Sequence, residues 1–287
     1  DLRFTSVWHA SYRNGEWTPP QQLDRARTIE WRPGGVSLRA ARSGELHLVF
    51  LGDEMRAEGG TVMHMRWDGA AWRENKVRVR GVPVYTDVAA DGRGRVAITY
   101  VAGYHHSTGS HVNTVFLTHS SDHGASWGPQ RIVSNEPSDE SKVLIDPDGA
   151  LRVVWMHRRP RDLSAESVWH ARSADSGATW TDFASIPVPA RFVSRSQAVV
   201  DRCGTIHYVM DGRERGVPNH VTYSRFHGGR WTEWAQPQGA GDGGFASVVY
   251  DGQDRIFLAW HTYKLEPRGA DSVVNYDAVR SELRLRR

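Results

Sequence analysis

The sequence has one cysteine, Cys203, in 287 residues. A single thiol excludes an intrachain disulfide and a cysteine metal cluster, and it leaves the redox compartment open. Long apolar runs are also lacking, since none approaches the roughly 18 residues of a membrane-spanning helix. We therefore expect no membrane partner. No signal peptide is recognisable, but the first residue is Asp rather than Met, as in a processed or trimmed chain, and we favour a secreted or periplasmic location.

An excess of one charge sign is lacking as well. Lys and Arg total 36 against 33 Asp and Glu, which gives a net charge of +3 without any basic block. This mixture argues against a nucleic-acid partner and weakly favours an anionic ligand. No helical periodicity, long linker or low-complexity segment separates a second domain. We therefore expect one all-β domain over residues 1–287, acting as a monomer.

What the sequence does contain is a turn that occurs twice. Residues 120–127 read SSDHGASW, and residues 173–180 read SADSGATW. In such a turn the Asp side chain accepts hydrogen bonds from its own loop, the Gly permits a positive φ, and the Trp covers the neighbouring hairpin. Two copies of one turn predict a repeat protein.

Tryptophans extend the repeat along the chain with steps of 55, 55, 53 and 51 residues. They are Trp17, Trp72, Trp127, Trp180 and Trp231. A period near 50 residues is typical of one four-stranded propeller blade. Five inner hairpins and six outer ones can be counted, so the sequence predicts an all-β propeller of five or six four-stranded blades.

The S-x-D-x-G-x-x-W pattern of the two turns resembles the Asp-box of the sialidase superfamily and of other Asp-box, or BNR-repeat, β-propellers. The resemblance implies that Asp122 and Asp175 lie on outer turns, on the face opposite the ligand. In that superfamily the motif supports the blades and does no chemistry. Function has to be sought elsewhere in the chain.

Comparison of the repeats with one another separates structural from functional side chains. Histidines that recur at one blade position are expected to have packing roles; they are His9, His64 and His170 on the third strand, and His47 and His207 on the second. Polar residues that differ between blades at the opposite end are the candidates for function. Such residues cluster where ligands of propellers usually sit.

The candidate site residues lie at two places in each blade. At the start of the inner strands are Tyr85, Asp87, Glu140, Lys142 and Arg195; just after the second strands are Asp53, His157, Arg158, Arg213, His261 and Tyr263. A period of two puts each pair on the inner strands on one side. Several Arg and His residues together suit a carboxylate or sulfate, so we expect an acidic oligosaccharide or polysaccharide as the ligand.

The superfamily resemblance implies a glycoside hydrolase. By position, Tyr263 is similar to the tyrosine nucleophile, Asp53 to the acid/base catalyst, and Arg158 and Arg213 to two of the three arginines that bind the sugar carboxylate. Trp31-Arg32-Pro33 is a loose match to the Arg-Ile-Pro signature, without its middle residue, and Arg32 joins the predicted ligand-binding residues on that basis. The carboxylate that assists the tyrosine is Glu140 or Glu214.

Two alternatives stay open beside the hydrolase. A lyase acting on uronates would use Arg to stabilise an enolate and His261, with His157 or His105, to transfer protons. A lectin would need only aromatic rings such as Trp31, Tyr85 and Phe245. We expect no cofactor and no metal, because the histidines at 105, 106 and 111 lie in a Gly/Ser loop of the kind that is usually exposed.

Overall fold

The computed structural model describes residues 3–28, 36–41, 43–56, 59–105, 111–159, 164–214, 219–237, 243–253, 255–265 and 274–277. Every regular element within these ranges is a β-strand. The predicted all-β class is therefore confirmed. Among the same residues we find no helix with the length and apolar character needed to cross a bilayer.

The chain divides into two compact units, Asp1–Glu136 and Pro137–Arg287. Whether they form the single expected domain stays a prediction. The strands of unit 1 are β1 (Arg3–His9), β2 (Tyr12–Arg13), β3 (Glu16–Trp17), β4 (Gln21–Thr28), β5 (Ser37–Ala40), β6 (Leu46–Arg56), β7 (Gly59–Trp67), β8 (Trp72–Arg80), β9 (Val82–Ala90), β10 (Val96–His105), β11 (His111–Ser120) and β12 (Arg131–Ser134).

The strands of unit 2 are β13 (Ser138–Ile145), β14 (Leu151–Arg158), β15 (Ala165–Ser173), β16 (Thr181–Pro187), β17 (Phe192–Val200), β18 (Ile206–Arg213), β19 (His220–His227), β20 (Arg230–Trp231), β21 (Gly243–Tyr250), β22 (Ile256–Leu265) and β23 (Val274–Asp277). Within each sheet of three or four strands, consecutive strands pair antiparallel, as short hairpin connections require. Four-stranded sheets form from β5–β8, β9–β12, β13–β16 and β17–β20, while β21–β23 form a three-stranded sheet. The number of blades stays a prediction.

Apolar side chains pack between neighbouring sheets within each unit. In unit 1 one cluster joins Val49 and Val62 of the sheet β5–β8 to Ile98 and Tyr100 of the sheet β9–β12. Unit 2 has the equivalent cluster between β13–β16 and β17–β20, and a second between β17–β20 and β21–β23. Inner strands are thus covered on both faces, which explains their nearly continuous apolar sequences.

The inner strand of four sheets carries a β-bulge near its first residues. The breaks in pairing lie at Val101/Ala102 opposite β9, Asp139/Lys142 in β13, Val193/Arg195 in β17 and Gly244/Ser247 in β21. A bulge re-aims the side chains around it. We call this end of each sheet the bulge end, and the end that carries the β11–β12 and β15–β16 turns the Asp-box end.

The two predicted turns have one hydrogen-bond pattern. In the first turn Asp122 accepts bonds from the Ser126 backbone N–H at 2.9 Å and its hydroxyl at 2.5 Å, while Ser120 Oγ accepts from the Gly124 N–H at 2.8 Å. The second turn repeats these bonds at equivalent residues with distances of 2.6–2.8 Å. Hydrogen bonds to the charged form lower the pKa of Asp122 and lower that of Asp175 to about 2.

The recurring histidines pack as expected. His64 is 1% exposed, stacks on His47 with 3.0 Å between ring nitrogens, and meets the edge of Trp127 at 5.1 Å between centroids. Burial disfavours the imidazolium and lowers the pKa of His64 to about 3. His170, also buried, packs against Phe226 at 4.4 Å. These rings act as spacers between adjacent sheets.

Gly124 is the point at which the first Asp-box turn contacts the preceding sheet. Its φ is +84°, and a Cβ placed there would lie 2.1 Å from Cε1 of His64. Asn75 adds hydrogen bonds of 2.8 Å to the carbonyl oxygens of Gly124 and Ala125. The glycine is therefore required twice, for its backbone conformation and for the close approach of the two sheets.

We predict that Gly124→Ala destabilises the protein more than Gly69→Ala. Both glycines have positive φ, but a Cβ at Gly69 meets no atom within 4 Å. The control should lose about 1 kcal/mol from backbone strain, and Gly124→Ala about 1–3 kcal/mol more from the clash with His64. Denaturant unfolding measures both values, and equal losses would contradict the packing of the Asp-box turn on His64.

Candidate functional site

The bulge end of unit 2 holds most of the predicted site residues. Glu140 and Lys142 lie on β13, His157 and Arg158 at the end of β14, Arg195 on β17, Arg213 on β18, and His261 and Tyr263 on β22. The side chain of Tyr263 lies outside the described residues, although its backbone pairs with Tyr276. In unit 1, Tyr85 and Asp87 lie on β9. The Asp53 side chain and Arg32 as a whole lie outside the described residues.

Arg158 is already bound to a carboxylate. Its Nε and a terminal nitrogen lie 2.6 Å and 2.5 Å from Oδ2 of Asp139, and both side chains are at most 10% exposed. A buried arginine needs such a partner, because an isolated charge would be costly out of water. In the structure Asp139 compensates the charge of Arg158. Binding of a ligand carboxylate by Arg158 stays a prediction.

Glu140 lies in the bulge of β13 with a φ of +48° and is 3% exposed. The bulge interrupts the alternation on which the sequence prediction relied, so Glu140 turns inward while Lys142 stays half-buried. Burial raises the pKa of Glu140 to about 7, and the neighbouring Asp139 acts in the same direction. The Lys142 and Arg158 charges oppose this change only in part.

Two hydroxyl groups face Glu140 in the interior. They belong to Tyr208 and Ser196, whose side chains are both at most 2% exposed. Ser196 affects the pKa of Glu140, and the charge of Glu140 affects the pKa of Tyr208. The Ser196 hydroxyl lowers the pKa of both groups, but by less than burial raises it. Burial raises the pKa of Tyr208 far above its usual value. This phenol is therefore a neutral core group.

The exposed part of the site is a cluster of three side chains, which we call the Arg195–Phe245–His261 cluster. The guanidinium of Arg195 lies over the Phe245 ring, 4.5 Å from its centroid. The ring of His261 lies 5.6 Å from that of Phe245, tilted by 51°. Arg195 and His261 are exposed and Phe245 is 42% exposed. A cation, an aromatic ring and an imidazole thus face solvent together.

Asp211 supports this cluster from below. It pairs with Arg195 across β17 and β18 and is 1% exposed. Burial raises the pKa of Asp211 to about 6. Hydrogen bonds from the backbone N–H groups of Phe245 and Ala246, and the positive charge of Arg195, lower the pKa but do not cancel the effect of burial. Since Phe245 has a φ of +58°, the bulge in β21 is what brings these groups together.

The other predicted residues have separate surroundings. His157 lies 3.3 Å from Glu166 through its Nδ1 atom, and Arg213 is exposed at the end of β18. In unit 1, Asp87 is 2% exposed and accepts a hydrogen bond of 2.5 Å from Ser37, with Arg39 at 3.4 Å. The Asp87 carboxylate thus links β9 to β5 through its contacts with Ser37 and Arg39.

Sequence reasoning missed three residues of this region: Asp139, Tyr208 and Asp211. Tyr208 and Asp211 lie in apolar strand sequence, and only the register of β17 and β18 shows that Asp211 is opposite Arg195. Within the described ranges, no group of three or more His, Cys, Asp or Glu residues is arranged to hold a metal ion. His106 and the side chains of His105 and His111 lie outside the part of the chain that the structure describes.

Replacing Glu140 with Gln tests the buried carboxyl group. A carboxyl whose pKa is raised from 4.5 to about 7 on folding contributes stability that is present below pH 4.5 and is lost as the pH rises through 7. Glu140→Gln removes this penalty, so the variant should gain melting temperature relative to the parent between pH 5 and pH 8. Thermal melts across that range measure it; a difference that does not change with pH would contradict the burial of Glu140.

Comparisons with known proteins cover most of the chain. Residues 1–210 match the model of the BNR repeat-like domain family. No curated protein matches the sequence at a significant level. Among solved structures, two of an ulvan lyase, described as a new family of polysaccharide lyase, are 13% identical; the alignment covers 96% of this chain and 77% of theirs, with TM-scores of 0.58 and 0.57.

Two further structures are similar. A protein of unknown function from Dyadobacter fermentans is 16% identical, with 90% of this chain and 79% of that one covered and a TM-score of 0.56. The NanB sialidase from Streptococcus pneumoniae is 11% identical, with 86% and 61% covered and a TM-score of 0.53. At these identities the likeness shows the fold, a β-propeller. The family match spans more than half of the sequence, and the chain belongs to the BNR repeat-like domain family.

Proposed function

We propose that the protein is a carbohydrate-active enzyme that cleaves an acidic polysaccharide by β-elimination beside a uronate, at the bulge end of unit 2. The observation that carries the proposal is the exposed Arg195–Phe245–His261 cluster, with Arg195 at 4.5 Å and His261 at 5.6 Å from one aromatic ring. It combines an anion-binding group, a surface for a sugar ring and a proton-transfer group.

Recognition of the uronate would start with Arg195. A guanidinium presents two parallel N–H groups that match the two oxygens of a carboxylate. Stacking on Phe245 limits the rotation of Arg195, so less conformational entropy is lost when the ligand binds. The exposed part of the Phe245 ring offers a flat apolar surface for the C–H groups of a sugar.

Elimination then requires a base and an electrophile on the same sugar. The uronate C5 proton passes to the imidazole of His261, while Arg195 neutralises the charge that develops on the carboxylate oxygens. The electron pair forms the C4–C5 double bond, and the bond from C4 to the glycosidic oxygen breaks. The departing oxygen takes a proton, and we assign its donation to Tyr263, two residues after His261 in the sequence.

A buried group would hold this arrangement in place. Asp211 accepts hydrogen bonds from the backbone of Phe245 and Ala246 and faces Arg195, so it fixes both components of the anion-binding surface. It is a positioning residue, because it is 1% exposed and does not reach the ligand.

A sialidase-like hydrolase is the second candidate among the enzymes. It depends on Tyr263 and Asp53, whose side chains lie outside the described residues, and on Arg158, whose charge Asp139 compensates. Burial raises the pKa of Glu140 to about 7, a range suited to a general acid, but at 3% exposure the carboxyl group lies beneath the surface. The described groups therefore favour elimination over hydrolysis.

The fold comparisons are consistent with this proposal without carrying it. One of the ulvan lyase structures is bound to a repeat of glucuronate and 3-sulfated rhamnose, which is an acidic polysaccharide unit. Oligosaccharides of that kind are suitable probes for this chain. The acidic character of the ligand and the monomeric state are themselves parts of the proposal.

Arg195→Ala should weaken binding of glucuronate-containing oligosaccharides by about tenfold to a hundredfold, the equivalent of a charged hydrogen bond. The matched control is Arg73→Ala, which removes an exposed arginine at the Asp-box end of unit 1 and should change affinity little. Calorimetric titration measures both, and the effect of Arg195 should shrink as salt rises. Equal losses in the two variants would contradict a specific anion site at Arg195.

His261→Ala separates catalysis from binding. We expect turnover to fall by about a hundredfold or more, as for loss of a general base, while the affinity for the oligosaccharide changes only a few-fold. Ultraviolet absorbance of the unsaturated uronate product follows the reaction. A parent protein that binds but yields no product would be a lectin, and full turnover in the variant would remove His261 from the mechanism.

A further inference from the structure

Unit 2 contains an open cavity at the Asp-box end, away from the proposed catalytic cluster. Its volume is about 450 Å³, and it lies between the sheets β13–β16 and β17–β20. Arg152, Asp182 and Phe183 line one side; Cys203, Phe226 and His227 line the other. Pockets for small ligands have volumes of roughly 300–1,000 Å³. The cavity is large enough for one or two sugar units.

The cavity exists because one sheet lacks an Asp-box turn. In unit 1, the turn between β11 and β12 fills the equivalent space: Gly124 contacts His64, and Asn75 bonds to the carbonyl oxygens of Gly124 and Ala125. His123 of the same turn also bonds to Glu45 at 2.9 Å. An Asp-box turn thus closes the gap between the sheets β5–β8 and β9–β12.

In unit 2 the corresponding turn is the short hairpin between β19 and β20. Gly228 and Gly229 form its tip with φ values of +58° and +83°, and a Cβ at either would meet no atom within 4 Å. Ala184 takes the place of Asn75, since it pairs with His170 of the third strand, and a break in the pairing of β16 precedes it. Phe183, next to Ala184, is 53% exposed and lines the cavity. The aromatic ring therefore borders an open space instead of packing on a loop.

The polar groups around the cavity carry little uncompensated positive charge. Arg152 Nε lies 2.6 Å and 2.7 Å from the two carboxylate oxygens of Asp146, and its terminal nitrogen lies 3.0 Å from His170. The carboxylate of Asp182 and the ring of His227 are exposed, with His227 Nδ1 at 3.1 Å from Thr205. The lining offers an aromatic face, a hydrogen-bond acceptor and an imidazole, but no free cation for an anion among the described groups.

We propose that this cavity is a second, non-catalytic binding site for a neutral sugar unit. The Phe183 ring would stack on the sugar, while Asp182 and His227 would bond to its hydroxyl groups; a uronate would be disfavoured by Asp182. The inference rests on the proposed function, since it gives the two ends of unit 2 different sugars of one polysaccharide. The Asp-box end holds the chain, and the bulge end cleaves it.

Cys203 provides the test, because it is exposed, lines the cavity and is the only cysteine of the chain. The rate of its alkylation by iodoacetamide is measured with and without maltotriose, cellotriose, mannotriose and arabinotriose. At least one of these neutral trisaccharides should slow alkylation several-fold at saturation, and triglucuronate should not. Failure of all four to protect Cys203, or equal protection by triglucuronate, would overturn the inference.

Variants locate the protection within the cavity. Phe183→Ala should abolish it, whereas Phe192→Ala, which removes a comparably exposed phenylalanine at the bulge end, should leave it unchanged. Thermal melts confirm that both variants fold, as expected for side chains 53% and 41% exposed. Protection that persists in Phe183→Ala would place the sugar elsewhere and would contradict the proposal.

The same assay separates failure of this inference from failure of the proposed function. Arg195→Ala should lose binding of acidic oligosaccharides and keep the protection of Cys203 by neutral ones. If acidic oligosaccharides do not bind the parent protein while Cys203 is still protected, the proposed catalytic site is wrong and the cavity site stands. If the acidic ligand binds and is cleaved while Cys203 is never protected, the cavity site is wrong.

Discussion

The β-bulge near the start of the inner strand in four of the sheets is the constraint on which the candidate site depends. Without it, side chains at alternate positions of β13 would face one side, and Glu140 would lie beside Lys142. The bulge instead turns Glu140 inward at a φ of +48° and leaves Asp139 to neutralise Arg158. At β21 the same device directs two backbone N–H groups to Asp211 and leaves Phe245 exposed below Arg195.

Local features of the fold could be predicted from the sequence, because each has a short-range physical cause. The hydrogen bonds of Asp122 and Asp175 form within their own turns. The burial of His64 and His170 follows from their shared position in the repeat. The site was predicted less completely, since residue spacing does not show where a bulge interrupts the alternation. Arg158 was predicted from its position, but its partner Asp139 becomes visible only with the register of β13 and β14.

The ends of unit 2 differ in how their space is used. At the bulge end, Asp211 is a buried carboxyl group with a raised pKa beside the exposed Arg195 and Phe245. At the Asp-box end, a hairpin with two glycines replaces the turn that fills the equivalent gap in unit 1. A cavity results, and the arginine in its lining, Arg152, is paired with Asp146. A repeat architecture makes this division possible, because one blade element can be shortened while the packing of the sheets is preserved.

The central claim is that the Arg195–Phe245–His261 cluster cleaves an acidic polysaccharide by elimination. The most direct measurement is the mass of the products after incubation with polysaccharides that contain glucuronate, both with and without neutral sugars between the glucuronate units. The account predicts fragments whose new non-reducing end is lighter by one water molecule than a hydrolysed end, because the C4–C5 double bond forms without water. Fragments of the hydrolysed mass would contradict the elimination mechanism and would support the sialidase-like alternative.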